Sequence, residues 1–173
     1  PRDTDNYDKK LTGAKREIEI SEKIRGHKNI LQIINSHIIE GQNALDFPVT
    51  FIWIITTFCS MNLDIYAQKF YLTLTNIIDI MRQISRGLVY MHNHKPPIFH
   101  LDIKPGNILI SIEDGRHVIK LADFGLSREF TSDKSIEYMT GAGTDPYLPP
   151  ECYQLGYRFI KSKAKHSKEG SHD

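Results

Sequence analysis

The sequence HLDIKPGN at residues 100–107 and the tripeptide DFG at residues 123–125 carry the strongest signal in this chain. Two short apolar runs lie between them, at residues 108–110 and 118–121, on either side of Glu113-Asp114-Gly115. An Asp-Gly pair between apolar, β-branched runs predicts a tight β-hairpin. The hairpin therefore separates two polar loops, each of which contains an aspartate.

The rest of the chain predicts a few further elements around this hairpin. They are a helix at residues 15–24, strands at 30–39 and 51–58, and a long helix at 76–91 with apolar residues on one face. The strand at 51–58 is rich in β-branched and aromatic residues, so we expect it to be buried. Residues 1–10 are polar and are expected to be frayed. Helices and antiparallel strands that are segregated along the chain indicate an α+β fold.

Composition excludes several classes of protein. With 173 residues, 40% of them apolar and 25% charged, the chain is long enough for one sizeable core. A net charge of +1 does not favour nucleic acid or a membrane as the main partner. Cys59 and Cys152 are too few for a disulfide framework, so we expect a reduced intracellular protein, most simply a cytoplasmic one. Because the chain starts at Pro1 rather than Met, an upstream signal or membrane segment stays open.

Three motifs in this order resemble the catalytic domain of eukaryotic protein kinases. Residues 100–107 resemble the catalytic loop, residues 123–125 the metal-binding motif, and the sequence GTDPYLPPE at 143–151 the end of the activation segment. A lone DFG would be weak, but three ordered motifs at suitable spacing are specific. The resemblance implies a two-lobe kinase-like α+β fold that is truncated at both ends. It would divide the chain into a partial N-lobe and hinge strand at about 11–58, a C-lobe portion at about 59–160, and a basic insertion with the start of a truncated helix at 161–173.

The resemblance also implies a role for each polar residue of these motifs. Phosphoryl transfer depends on positioning and on charge neutralisation. Asp102 would orient the substrate hydroxyl and accept its proton, and Lys104 would offset charge on the transferring group. Asn107 and Asp123 are hard oxygen ligands that suit Mg²⁺, and Thr144 resembles a threonine that lies near Asp102 and Lys104. The implied cofactors are ATP and Mg²⁺, and the implied partner is a protein substrate.

Further residues match the kinase pattern less specifically. Glu17 lies where the family's helix glutamate is expected, with Glu19, Glu22 and a plain solvated charge as alternatives. That glutamate normally pairs with a strand lysine that holds the α- and β-phosphates. The glycine-rich loop and this lysine are not found, so we expect the first strands of the small lobe to lie upstream of Pro1 or not to exist.

The segment after the second strand resembles the kinase hinge. Thr56 falls at the gatekeeper position, and Thr57 to Cys59 would hold adenine through backbone groups. Leu101 replaces the arginine that usually precedes the catalytic aspartate, which makes this a non-RD type that cannot pair a loop phosphate there. Lysine at position 104 favours the serine/threonine class over tyrosine kinases.

Three functions are compatible with these residues. The first is a serine/threonine kinase of which this is a partial chain. The alternatives are a pseudokinase that acts as a scaffold or regulatory module, and an inactive fragment that lacks the glycine-rich loop and the strand lysine. Because Asp102, Lys104, Asn107 and Asp123 are all present, we favour the kinase for the parent protein and expect little activity from these 173 residues alone.

Overall fold

The computed structural model describes residues 4–44, 46, 48–131, 143–148 and 150. The helices are α1 (Thr4–Lys23), α2 (Leu63–Lys69) and α3 (Leu74–His92), with short 3-10 turns at Pro105–Asn107 and Asp145–Tyr147. The strands are β1 (Ile33–Gln42), β2 (Pro48–Thr56), β3 (Met61–Asn62), β4 (Ile98–Phe99), β5 (Ile108–Glu113), β6 (Arg116–Leu121) and β7 (Arg128–Glu129). They form three antiparallel sheets, β1-β2, β3-β5-β6 and β4-β7. The α+β prediction is confirmed, and the segment predicted at 161–173 lies outside the described residues.

The predicted hairpin is present as β5 and β6. Asp114 and Gly115 form its two-residue turn, and both have positive φ values, 49° and 72°. This is the type I′ arrangement, whose twist matches that of the paired strands. The base of the hairpin is held by two further backbone bonds, from the Leu31 amide to the Leu121 carbonyl at 2.8 Å and from the Leu121 amide to the Asn29 carbonyl at 3.0 Å. The two polar loops therefore leave the hairpin from a fixed end.

Helix α3 packs against this hairpin along the predicted face. Ile80, Ile84 and Met91 are buried in the core, and the helix begins with a capping box between Thr73 and Asn76. Close approach is possible because position 87 is glycine. A Cβ atom there would lie 2.9 Å from both the Asn29 carbonyl oxygen and Leu121 Cδ1.

A buried polar network joins helix, hairpin and the turn after α1. Gln83 Oε1 accepts from Asn29 Nδ2 at 3.1 Å and from the Ile119 amide at 3.0 Å. Asn29 Nδ2 also donates to the Ile119 carbonyl at 2.8 Å. Because each of these buried groups is paired, the network costs little and fixes the relative position of the three elements.

Helix α1 is longer than predicted. It begins at Thr4 rather than at residue 15, so the expectation that residues 1–10 are frayed is wrong for 4–10. Residues 4–8 are Thr, Asp, Asn, Tyr and Asp, all weak helix formers, so intrinsic propensity does not account for this extension. Lys10 and Lys15 lie on this helix, which agrees with the interpretation that neither is the strand lysine of the family. The helix ends before Gly26, whose φ of 94° matches the predicted stop.

The sheet β1-β2 corrects two further predictions. The strands are shifted along the chain from 30–39 and 51–58, and Ile30 instead makes an isolated bridge to Leu121. The second strand is not buried, since Phe51, Trp53 and Ile55 are 56%, 62% and 49% exposed. Residue type could not reveal this, because burial of a strand depends on whether another layer covers it. In the part of the chain that is described, the face carrying these three side chains has no such layer.

None of the helices among the described residues combines the length and the apolarity needed to cross a membrane.

Candidate active site

Asp102, Lys104 and Thr144 form a closed triangle of short hydrogen bonds. Lys104 Nζ lies 2.7 Å from Asp102 Oδ2 and 2.7 Å from Thr144 Oγ1, and Thr144 Oγ1 donates to Asp102 Oδ1 at 2.7 Å. Burial alone would raise the pKa of Asp102, but the hydrogen bonds from Lys104, Thr144 and Asn107 outweigh it and hold the pKa below its usual value. Asp102 is therefore an ionised carboxylate in a site that is 6% exposed.

Thr144 reaches this triangle because the chain passes very close to the catalytic loop at Gly143. Gly143 has a φ of 119°, and a Cβ atom there would lie 3.1 Å from the Leu101 carbonyl oxygen and 2.6 Å from Leu148 Cδ2. Only glycine fits such a position without strain. Leu101 itself has a φ of 65°, an uncommon value for a bulky residue, so the loop before Asp102 is held in a strained conformation.

Asn107 is fixed to the same carboxylate from the other side. Its Nδ2 donates to Asp102 Oδ2 at 2.8 Å and to the Asp102 carbonyl at 3.0 Å. The residue is buried at the end of the 3-10 turn, where its own amide donates to the Lys104 carbonyl at 3.0 Å. Since the amide nitrogen makes both side-chain contacts, Oδ1 of Asn107 is the atom left to ligate a cation.

Asp123 is the residue after Ala122, whose backbone is hydrogen-bonded to that of Asn107. The Ala122 amide donates to the Asn107 carbonyl at 3.0 Å, which places the two loops side by side. Asp123 is exposed and has a φ of 62°, and its Oδ1 lies 3.4 Å from the Gly125 amide, a long contact. An exposed carboxylate beside an amide oxygen is a hard oxygen donor set, which fits Mg²⁺ and its usual retained waters.

His100 is a site residue whose role sequence analysis missed. It is 2% exposed, and its Nε2 lies 3.0 Å from the Ala122 carbonyl, so Nε2 carries the proton. Its Nδ1 accepts from the Asp102 amide at 3.3 Å. Ser127 Oγ donates to the His100 carbonyl at 3.1 Å. A neutral imidazole thus joins the two loops. The only feature of the sequence that indicated this role was the position of His100, two residues before Asp102.

We expect the protonation of His100 to set a pH limit on stability. Burial lowers the pKa of His100, and it also lowers the pKa of His27, so the unfolded chain takes up protons more readily than the folded one. The free energy of unfolding should therefore keep its full value above about pH 7 and fall as the pH drops below about 6.5, by at most about 1.4 kcal/mol at pH 5.5 for His100 and by less for the more exposed His27. Urea unfolding at both pH values measures this.

The variant His27→Gln separates the two contributions. It should remove part of the pH dependence and leave the part that belongs to His100. A free energy of unfolding that is flat between the two pH values in this variant would contradict the neutral, buried assignment of His100.

Glu17 is the one of the three candidate glutamates that faces the site. Burial raises its pKa, and the negative charge of Asp123 raises it further. Glu19 instead pairs with Lys23 at 2.7 Å, and Glu22 is exposed. Within the described part of the chain, Glu17 makes no ion pair.

The predicted hinge residues lie beside the hairpin and away from the triangle. The Thr57 amide donates to the Gln32 carbonyl at 3.0 Å, and burial raises the pKa of the Cys59 thiol. Thr57 Oγ1 is buried and has no hydrogen-bond partner among residues that the structure describes. Thr56 ends β2. In those same residues, none of the three side chains bonds to the 102–107 loop.

Comparison with known proteins matches this sequence to the protein kinase domain family. The protein kinase domain family model covers residues 2–167. The serine/threonine-protein kinase tousled-like 2 of Xenopus tropicalis is 41% identical over 110 residues, which are 59% of this chain and 16% of that protein. Tousled-like 1 of Homo sapiens is 39% identical over 113 residues, covering 58% of this chain and 15% of that protein. A probable serine/threonine-protein kinase of Dictyostelium discoideum is 30% identical over 148 residues, which are 83% of this chain and 12% of that protein. The chain thus spans less than a fifth of the length of these relatives.

Proposed function

This chain belongs to the protein kinase family, and from that premise we propose that it is part of a serine/threonine kinase that transfers the terminal phosphoryl group of ATP to protein hydroxyl groups. The observation that carries the proposal is the triangle of Asp102, Lys104 and Thr144, with three contacts of 2.7 Å around one ionised carboxylate. A scaffold would have no need of this arrangement.

Each residue of the triangle has a distinct part in the proposed reaction. Asp102 accepts a hydrogen bond from the substrate hydroxyl, orients its oxygen and takes its proton. Lys104 offsets the negative charge that develops on the transferring group. Asn107 and Asp123 would hold Mg²⁺, whose charge neutralises the nucleotide phosphates. Thr144, through its hydrogen bonds to both, holds the side chains of Lys104 and Asp102 in their relative positions.

Nucleotide binding would extend from this site towards the hinge. We assign Thr56, Thr57 and Cys59 to the adenine end. We assign Glu17 to the pair with the strand lysine that holds the α- and β-phosphates. This assignment divides the chain into partial N-lobe and hinge strand at about 11–58 and C-lobe portion at about 59–160. An intracellular, cytoplasmic location is our expectation from the same family and from the two isolated cysteines.

We expect serine and threonine, rather than tyrosine, to be the phosphate acceptors. Lys104 and Thr144 close the substrate side of Asp102, which suits a short side chain better than a long phenol. A degenerate peptide library incubated with the full-length protein, ATP and Mg²⁺ and analysed by mass spectrometry measures this preference. Phosphotyrosine as the main product would overturn the assignment.

One observation favours a second candidate, a pseudokinase that binds partners without turnover. Burial and the negative charge of Asp123 both raise the pKa of Glu17, and no ion pair offsets them among the described residues. A protein that binds no Mg²⁺–nucleotide in a titration, yet remains folded, would support this alternative over the kinase.

A further inference from the structure

Helix α1 contacts the DFG turn through one side chain and lies near it at a second position. Arg16 Nη1 donates to the Gly125 carbonyl at 2.8 Å in a partly buried contact. One turn earlier on the helix, the Gly13 carbonyl oxygen lies 3.7 Å from where a Cβ atom on Gly125 would be. The backbone of Gly125 is therefore held to the helix by one charged side chain, with the Gly13 carbonyl close by.

The DFG turn is anchored at both ends, and Arg128 Nη1 holds the Leu126 carbonyl in its middle at 2.8 Å. Phe124 and Ser127 are 1% and 0% exposed, and the Ser127 amide donates to the Phe124 carbonyl at 3.0 Å. The Gly125 carbonyl lies inside this turn. The other contact near it, between the Gly125 amide and Asp123 Oδ1, is long at 3.4 Å.

Asp123 depends on how this peptide is oriented. Its φ of 62° places it in the left-handed region, where a single residue is held only if its neighbours fix it. A charge-assisted hydrogen bond is about twice as strong as a neutral one, so the Arg16 contact is a strong bond to this carbonyl, beside the equally short bonds from Arg128 Nη1 to the Leu126 and Ser127 carbonyls at 2.8 Å. An ion pair between Lys23 and Glu129, at 2.8 Å, ties the far end of α1 to the strand that follows the turn.

We propose that Arg16 is a positioning residue, which holds the Gly125 carbonyl and thereby fixes the Asp123 carboxylate for its cation. The link to the cation rests on the proposed function, whereas the link between Arg16 and the turn does not. Arg16 touches neither substrate nor nucleotide in this role. It makes the geometry of the metal-ligating loop depend on the position of α1.

Amide hydrogen exchange in the 173-residue chain, followed by NMR without nucleotide, tests the first link. Arg16→Met removes the donors and keeps an unbranched apolar stem of similar bulk. It should accelerate exchange of the Ser127 amide by at least about tenfold and leave the Ile119 amide of the hairpin unchanged. Lys15→Met is the matched control, since Lys15 is exposed and adjacent on the same helix, and it should leave the Ser127 amide unchanged.

A graded series keeps the test informative if Arg16→Met does not fold. Arg16→Lys retains a charged donor and Arg16→Gln a neutral one, so protection of the Ser127 amide should fall in the order Arg, Lys, Gln. Equal protection in every folded variant would overturn the proposal.

ATP affinity measured with and without Mg²⁺ in the full-length protein tests the second link. Arg16→Met should reduce the gain in affinity that Mg²⁺ provides and leave the Mg²⁺-free affinity unchanged. The same gain in the variant and the native protein would overturn the positioning role. No gain in the native protein would instead refute the proposed function, and the exchange data would still decide whether Arg16 holds the turn.

Discussion

Replacing Asp102 with Asn is expected to lower the rate of phosphoryl transfer by at least about a hundredfold, because loss of a positioned general base costs about 10²- to 10⁴-fold. The one oxygen of Asn can still accept from Lys104 and Asn107, and its amide nitrogen can donate to Thr144 Oγ1 instead of accepting from it, so the loop should keep its shape. Asp102 is not assigned as a ligand of Mg²⁺, so nucleotide affinity should stay within about threefold of native, less than about 1 kcal/mol. Single-turnover transfer in the full-length protein, beside nucleotide titration, measures both quantities.

Asp114→Asn provides the matched control for this change. It makes the same chemical substitution in the exposed turn of the hairpin, where Asn also tolerates a positive φ. Transfer in this variant should equal that of the native protein. If Asp102→Asn retains near-native transfer, Asp102 is not the base and the kinase assignment fails with it.

Replacing Asp123 with Asn is expected to affect binding rather than chemistry first. It removes a charged ligand, so affinity for the Mg²⁺–nucleotide complex should fall by at least about tenfold, while Mg²⁺-free affinity stays the same. Because Asn adopts the left-handed region nearly as readily as Asp, the turn should not be disturbed. Titration of nucleotide at saturating Mg²⁺ and in its absence separates these effects. Equal loss of binding in the Asp102 and Asp123 variants would refute the division of roles between the two loops.

Local features of the fold could be predicted because their causes are local. The hairpin follows from Asp114-Gly115 between two apolar runs, and α3 follows from apolar spacing on one face. The extent of α1 and the exposure of β2 could not be predicted in this way. Both depend on which other segments pack against them, and residue type does not report this.

In the candidate site, too, the features that could be predicted are those with a local sequence signature. Asp102, Lys104, Asn107, Asp123 and Thr144 were found by their motifs, and the structure brings the first three together with Thr144 and places Asp123 beside them. Their catalytic roles remain predictions.

The supporting contacts were not found, because they join residues that are distant in sequence. Arg16 and Gly125 are 109 positions apart, and nothing near Arg16 distinguishes it from an ordinary helix charge. His100 was visible in the motif, but its tautomer depends on the Ala122 carbonyl, which only the fold brings within reach.

The exposed face of the β1-β2 sheet has a spectroscopic consequence. Trp53 is the only tryptophan of the chain, and its indole is 62% exposed on that face. We therefore expect its emission in the folded chain to be that of a solvated indole, close to the emission of the unfolded chain, which would make intrinsic fluorescence a poor probe of core folding. For the same reason, a blue shift of this emission would report directly that another surface has covered the sheet.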